Sequence, residues 1–297
     1  MDNDMQKVFE KCIKRWGKNG IDDRIEDAIE AFNTNWINDE KIIEEKEIIV
    51  NLLEKFDYYS REDRYIAINE LTKKLIEECE ISDKDSIITI VKKEDGKSSS
   101  STDYLVYYKN LHIINKNIFY VTLDELKKEW WENIEKVVFV DDCSGTGTQF
   151  INFLKKEMEK RSFVNKKIIL ALVVVMDPAI EYIREYAKEN GLDIKIIWYC
   201  SKEKAYQDMS NEQREKIYEL SQKRKITEKY IHGFKEAEAL IAFNDNTPND
   251  TIGIFWQKNK NNLPLFLREP DGPAGWKTNR NNKKRRKRQQ YESKCRK

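Results

Sequence analysis

Apolar residues recur at helical spacing through the first 80 positions. One set is Val8, Phe9, Cys12, Ile13 and Trp16, and a second is Ile21, Ile25, Ile29, Phe32 and Trp36. Ile42, Ile49, Leu52, Leu53 and Phe56 form a third, and Leu71, Leu75 and Ile76 a fourth. Asn19-Gly20 and Asn38-Asp39 punctuate between them. The pattern changes at Ser86, where short β-branched apolar runs begin to alternate with amphipathic stretches. Strands are expected at 87–91, 118–121, 137–140, 168–176, 194–199 and 240–243. Helices are expected at 103–109, 123–132, 148–160, 179–190 and 211–223. Strands buried on both faces and joined by helices predict a parallel α/β sheet, whose ligands sit beyond the carboxyl ends of the strands.

Composition narrows the class. The 297 residues are 36% charged, with a mean hydropathy of −0.79, yet 7 Trp, 14 Tyr and 12 Phe supply large core side chains. That mixture excludes an extended disordered chain, and 10 Gly and 5 Pro exclude a collagen-like repeat. The longest apolar run, 168–176, suits a buried strand and is too short for a bilayer. The start, MDNDMQKVFEKC, does not pair a charged segment with an apolar one, so a cytoplasmic protein without a membrane association is expected. Five scattered Cys with no CxxC pair, and two distant His, argue against a zinc site or a disulfide framework.

The net charge of +1 conceals a division. Residues 277–297 carry eleven Lys and Arg against one acid, whereas the remainder carries 43 basic and 52 acidic groups. Such a tail cannot bury a core alone and reads as disordered. Its charge suits nucleic-acid phosphates, or equally an acidic partner or mere solubility. The first 80 residues hold 21 acids and 13 bases, fitting solvated helix faces of a docking or cap region.

Candidate chemistry gathers at VVFVDDCSGTGTQF, residues 137–150. Four apolar residues form a strand, Asp141 and Asp142 end it, a small-residue loop follows, and a helix begins near Thr148. Ser144, Gly145, Thr146 and Gly147 allow backbone N–H groups and hydroxyls close to a phosphate, with a helix dipole behind. The two carboxylates suit sugar hydroxyls or the waters of a magnesium ion.

This stretch resembles the phosphoribosyl diphosphate (PRPP) binding signature of type I phosphoribosyltransferases. The resemblance implies that Asp141 and Asp142 contact the ribose hydroxyls and take part in catalysis and Mg2+ binding. Cys143, Ser144, Gly145, Thr146, Gly147 and Thr148 would wrap the 5′-phosphate. The loop departs from the family pattern at Ser144, where an apolar residue is common, and at Thr148 or Gln149, where a small one is. A second loop, KKEDGKSSSST, follows the first strand of the α/β region, at the place where the family holds pyrophosphate. Lys97, Ser98 and Ser99 are the candidates there, against the alternative of a Ser-rich surface linker.

Near the end of the α/β region, FNDNTPNDTIGIFW (243–256) places Asn244, Asn246, Asn249 and Trp256 as candidates for a substrate base, with core aromatics as the alternative. This segment and the Asp141 motif are similar to the PRTase-CE group of bacterial antiphage clusters, some members of which accompany retron reverse transcriptases and winged-helix proteins. The expected fold class is therefore α/β, a parallel doubly wound sheet of phosphoribosyltransferase type, with an N-terminal α-helical region. The expected organisation is a helical region at 1–83, an α/β domain at 84–276 and a basic tail at 277–297. An enzyme acting at C1′ of a PRPP-like ligand is the first expectation. A non-catalytic sensor, binding nucleic acid through the tail, and a scaffold with a vestigial pocket are the rivals.

Overall fold

The computed structural model describes residues 3–92 and 100–268. Four helices come first: α1 (Asn3–Trp16), α2 (Asp23–Ala31), α3 (Glu40–Glu44) and α4 (Lys46–Lys55). Asp22 caps α2 by accepting from the Arg24 and Ile25 amides, and a π-turn at Phe32–Trp36 continues it. The periodic stretch at 42–56 is broken at Glu45, whose non-helical φ of −109° and ψ of 28° separates α3 from α4. A three-residue strand, β1 (Asp57–Tyr59), follows, and then α5 (Arg61–Glu77), which opens on a reciprocal Ser60–Asp63 capping box.

The α/β part contains β2 (Ser86–Ile90), α6 (Ser100–Asn110), α7 (Lys128–Asn133), β3 (Lys136–Ser144) and α8 (Thr148–Lys160). It continues with β4 (Lys167–Met176), α9 (Asp177–Glu189), β5 (Asp193–Lys202), α10 (Asn211–Lys223) and β6 (Ile241–Phe243). Strands β2, β3, β4 and β5 lie side by side in chain order, all parallel. Helices cover both faces. On one, Val138, Val140, Ile169 and Ala171 pack with Leu71 and Leu75 of α5 and Tyr104 and Tyr108 of α6. On the other, Val137, Phe139, Ile168 and Leu170 pack with Phe150 and Leu154 of α8 and Ile183 of α9. Burial on both faces is why these strands read as unbroken apolar runs.

Three expectations need correction. Residues 118–121 are not a strand: Lys116–Ile118 is a 3-10 turn whose cap, Asn115, accepts from the Asn117 amide, and Phe119 makes only an isolated bridge to Ile88. The expected helix at 123–132 is divided into a 3-10 turn at Leu123–Glu125 and α7, because the chain is extended at Leu126 and Lys127. Strand β3 also runs four residues past Val140, and its register continues to Ser144 opposite Val175. The acids are therefore strand residues.

Helices α1 to α4 share one core with residues 205–266. Phe266 lies 5.1 Å from Phe56, 5.1 Å from Tyr58 and 5.0 Å from Trp16, measured between ring centroids. Trp36 donates its indole N–H to the Leu263 carbonyl at 2.8 Å. Buried Arg224 joins the two segments by bonds to Asn262 (2.8 Å) and Asp39 (3.0 Å). Strand β1 belongs to the same union, pairing in parallel with β6. None of the described helices is long and apolar enough to cross a membrane.

Phe266→Ala should lower the unfolding free energy by about 3–5 kcal/mol, since an aromatic ring is removed from a shared core that cannot collapse on one side alone. Urea unfolding measures it; a loss below about 1 kcal/mol would show that the two segments are not interdependent.

Candidate functional site

The site is built at the carboxyl edge of β3. Asp141 is 7% exposed, and three donors surround its carboxylate. Ser101, in the first turn of α6, donates its hydroxyl to Oδ1 at 2.7 Å, the Asp142 amide donates to the same oxygen at 3.0 Å, and Gln149 approaches Oδ2 at 3.5 Å. Burial, and then the neighbouring Asp142 charge, push the Asp141 carboxyl well above the usual carboxylate range. Asp142 is half-buried and accepts from the Cys143 amide at 2.8 Å. Burial also raises the Cys143 thiol, with Asp250, Asp142 and Asp141 adding to the effect, so this cysteine is held as an inert thiol.

Beyond Ser144 the chain turns through Gly145, Thr146 and Gly147 into α8. Gly147 is the N-cap, with a left-handed φ of +74°, and a Cβ there would lie 3.1 Å from the Ala179 carbonyl. No side chain caps α8, so its first-turn amides keep their capacity for an anion. The Thr146 and Thr148 hydroxyls are 3.0 Å apart. Together with Asp141, Cys143 and Ser144, this loop lines a cavity of about 200 Å³.

A second segment closes the cavity. Asn249 and Asp250 line it, as do Phe234 and Lys235. Burial raises the Asp250 carboxyl to about 6, against the lowering effects of Arg268 and of a hydrogen bond from the Gly145 amide. A Cβ at Gly145 would lie 2.4 Å from Asp250 Cγ, so a larger residue there would force the Asp250 side chain to move. This segment is anchored by α2: buried Arg24 donates to Thr247 Oγ1 at 2.7 Å and to the Leu267 carbonyl at 3.0 Å.

The sequence-predicted residues separate into groups. Asp141, Cys143, Ser144, Gly145, Thr146, Gly147, Thr148 and Asn249 line one cavity. Asp142 borders it without forming its wall. Asn246 is a turn residue, its side chain accepting from the Thr247 amide at 2.9 Å. Asn244 donates its amide to the Tyr59 carbonyl and has a buried Oδ1 without a partner. Trp256 is 4% exposed, packed at 4.9 Å on Tyr230, with its N–H bonded to the Thr251 carbonyl at 2.6 Å. It is a core side chain and not a base platform. Lys97, Ser98 and Ser99 lie outside the described residues, as does the 277–297 tail. Sequence reasoning missed Asp250, Lys235 and the Ser101–Asp141 bond. The NDNTPND run drew attention to its asparagines, and nothing local marks which acid in it reaches the loop.

Among the described residues, no group of three or more His, Cys, Asp or Glu is placed to hold a metal ion. With the Asp141 oxygens already engaged and its carboxyl pushed toward the neutral form, the acid pair does not make a magnesium cage by itself.

The model of the PRTase-CE family matches residues 33–268. The chain belongs to the PRTase-CE family. The matched stretch of this PRTase-CE protein includes the β3 loop, its cavity and the segment that closes it. Among solved structures, the chain is similar to the Helicobacter pylori xanthine-guanine-hypoxanthine phosphoribosyltransferase, with 12% identity and a TM-score of 0.32, covering 51% of this chain and 91% of that one. No curated protein sequence matches it.

The raised Asp250 pKa sets a sign. The folded state holds this proton more tightly than the unfolded chain, whose carboxyl titrates at the ordinary value of 3.8. The contribution of Asp250 to stability is therefore fully present below pH 4 and declines as pH rises toward about 6. The stability difference between wild type and Asp250→Asn should shift against the wild type by about 2 kcal/mol between pH 4 and pH 7. Denaturant titrations at the two pH values measure it; an unchanged difference would contradict the buried environment assigned to Asp250.

Proposed function

We propose that this chain binds a small molecule carrying a ribose 5-phosphate group, PRPP or a related nucleotide, and acts on it at C1′ as an enzyme of the phosphoribosyltransferase class. The observation that carries this reading is the β3–loop–α8 junction. It is a small-residue loop with an uncapped helix N-terminus behind it and two acids on the strand before it, all within the stretch matched by the PRTase-CE model. Backbone amides and the helix dipole suit a phosphate, and the adjacent carboxyls suit hydroxyl groups that donate to them.

In transfer, the C1′–O bond to diphosphate breaks and a C1′–N bond forms, the acceptor nitrogen losing a proton and the diphosphate leaving with the electron pair. In cleavage of a nucleotide, the C1′–N bond to the base breaks and a C1′–O bond to water forms, the base leaving with the electron pair and taking up the proton that the water loses. Both need a sugar held still while positive charge develops at C1′, so positioning and electrostatics do most of the work. Magnesium enters this proposal only as an ion carried by the phosphates of the ligand. A role as an effector in bacterial antiphage defence, with a retron reverse transcriptase or winged-helix partner, belongs to the same proposal and is supported by the family alone.

One observation favours a second reading. The Asp141 carboxyl is buried, triply approached by donors and raised toward its neutral form, which suits a fixed recognition element better than a general base. A non-catalytic sensor of the same ligand, passing the signal to nucleic acid through the basic tail, would have this property.

Calorimetric titration separates these readings from failure. Wild type should bind PRPP, and the Asp141→Asn/Asp142→Asn double variant should lose tenfold or more in PRPP affinity, with its circular dichroism unchanged. Undiminished PRPP binding by the variant would remove the acid pair from the site. Product formation in the wild type then divides enzyme from sensor.

A further inference from the structure

The loop assigned above to a phosphate already holds an anionic group of the protein itself. Asp250 lies against Gly145 so closely that a methyl group on the glycine would be 2.4 Å from Cγ and 2.7 Å from Oδ1. We infer that Asp250 is the specificity-determining residue of the site: its carboxylate occupies the anion position at Gly145, so that only a ligand with further anchoring points displaces it. This inference rests on the ribose-phosphate reading of the same loop.

The placement is built in rather than accidental. The backbone on both sides of Asp250 is pinned: the Phe234 amide donates to the Asn249 carbonyl at 2.8 Å, and the Ala239 amide to the Asp250 carbonyl at 3.0 Å. Ile252 then returns a bond to the Ala239 carbonyl at 3.1 Å. With the segment that carries it held in place, displacement of the carboxylate would come from rotation of the side chain alone. The Arg268 charge acts on Asp250 and is the positive charge toward which a displaced carboxylate would turn. The Arg268 guanidinium is itself held by the Thr247 carbonyl. The first-turn amides of α8 are not pre-empted in this way, since the helix has no side-chain cap.

A carboxylate packed against Gly145 and an anion bound at the same loop repel each other, and the cost of holding them together is greatest where water is excluded. A free inorganic anion gains only the loop contacts and must overcome the carboxylate with those alone. A phosphorylated sugar also gains the hydroxyl contacts at the acid pair, and these offset the displacement. The selectivity so produced favours phosphorylated sugars and nucleotides over inorganic phosphate, which would otherwise fill the loop.

The test compares inorganic phosphate and ribose 5-phosphate, titrated calorimetrically into the full chain as wild type, Asp250→Ala and Asp250→Ser. Both variants vacate the position, and circular dichroism establishes that each is folded, the two substitutions guarding against misfolding in either. Inorganic phosphate should bind tenfold or more tightly to the variants than to wild type, with a smaller gain for ribose 5-phosphate, so that selectivity falls. Phosphate affinity equal to or weaker than that of wild type, with ribose 5-phosphate still bound, would overturn the role of Asp250 and leave the ribose-phosphate reading intact. Absence of binding of either compound to all three proteins would overturn both.

Discussion

The approach of Asp250 to Gly145 is the contact on which the arrangement of the site depends. One residue ends a central strand of the parallel sheet, and the other lies more than a hundred positions later, in a segment whose packing partners are the N-terminal helices. Phe266 among Trp16, Phe56 and Tyr58, and Arg24 bonded to Thr247 and Leu267, hold that segment. Helices α1 to α4 are thus joined to the cavity by way of residues 240–268, although they place no residue in its wall. The glycine at 145 serves less through its backbone freedom than through the space its missing side chain leaves.

The electrostatics follow from this crowding. Asp141, Asp142 and Asp250 converge on a cavity whose loop is shaped for an anion, which would be unfavourable were all three ionised. Burial eases the conflict chiefly at Asp141, which it raises well above the usual carboxylate range and whose oxygens are met by Ser101, Gln149 and the Asp142 amide, while Asp250 is raised only to about 6. In the proposed reading, hydroxyl donors meet the acids and a phosphate meets the amides of the loop. The strands of the sheet supply the rigidity that such discrimination needs.

Much of the fold was legible in the sequence because the sheet is buried on both faces, and unbroken β-branched runs such as 168–176 have few other readings. Helices α8 and α10 were legible at their bounds: small residues and Gly147 precede Thr148, and Ser210 with Gln213 forms a capping box. Strand β1 was not, since three residues carry no period and its pairing with β6 is remote in sequence. Residues 118–121 misled for the opposite reason: Ile118 and Phe119 are buried, but flanking Asn115 and Thr122 cap turns that leave no room for a ladder. The β3 motif revealed the loop, whereas Trp256 and Asp250 show the limit. An aromatic ring in a polar segment looks the same in core or cleft, and an acid that crosses to another element leaves no local trace.

The central claim is that the loop from Gly145 to Thr148 receives the phosphate of a ribose 5-phosphate ligand. A crystal structure with ribose 5-phosphate bound tests it most directly. The account predicts phosphate oxygens within hydrogen-bond distance of the amides at 145–148, ribose hydroxyls toward Asp141 and Asp142, and the Asp250 side chain turned away from Gly145. A ligand bound elsewhere, or bound with its sugar rather than its phosphate at the loop, would contradict it.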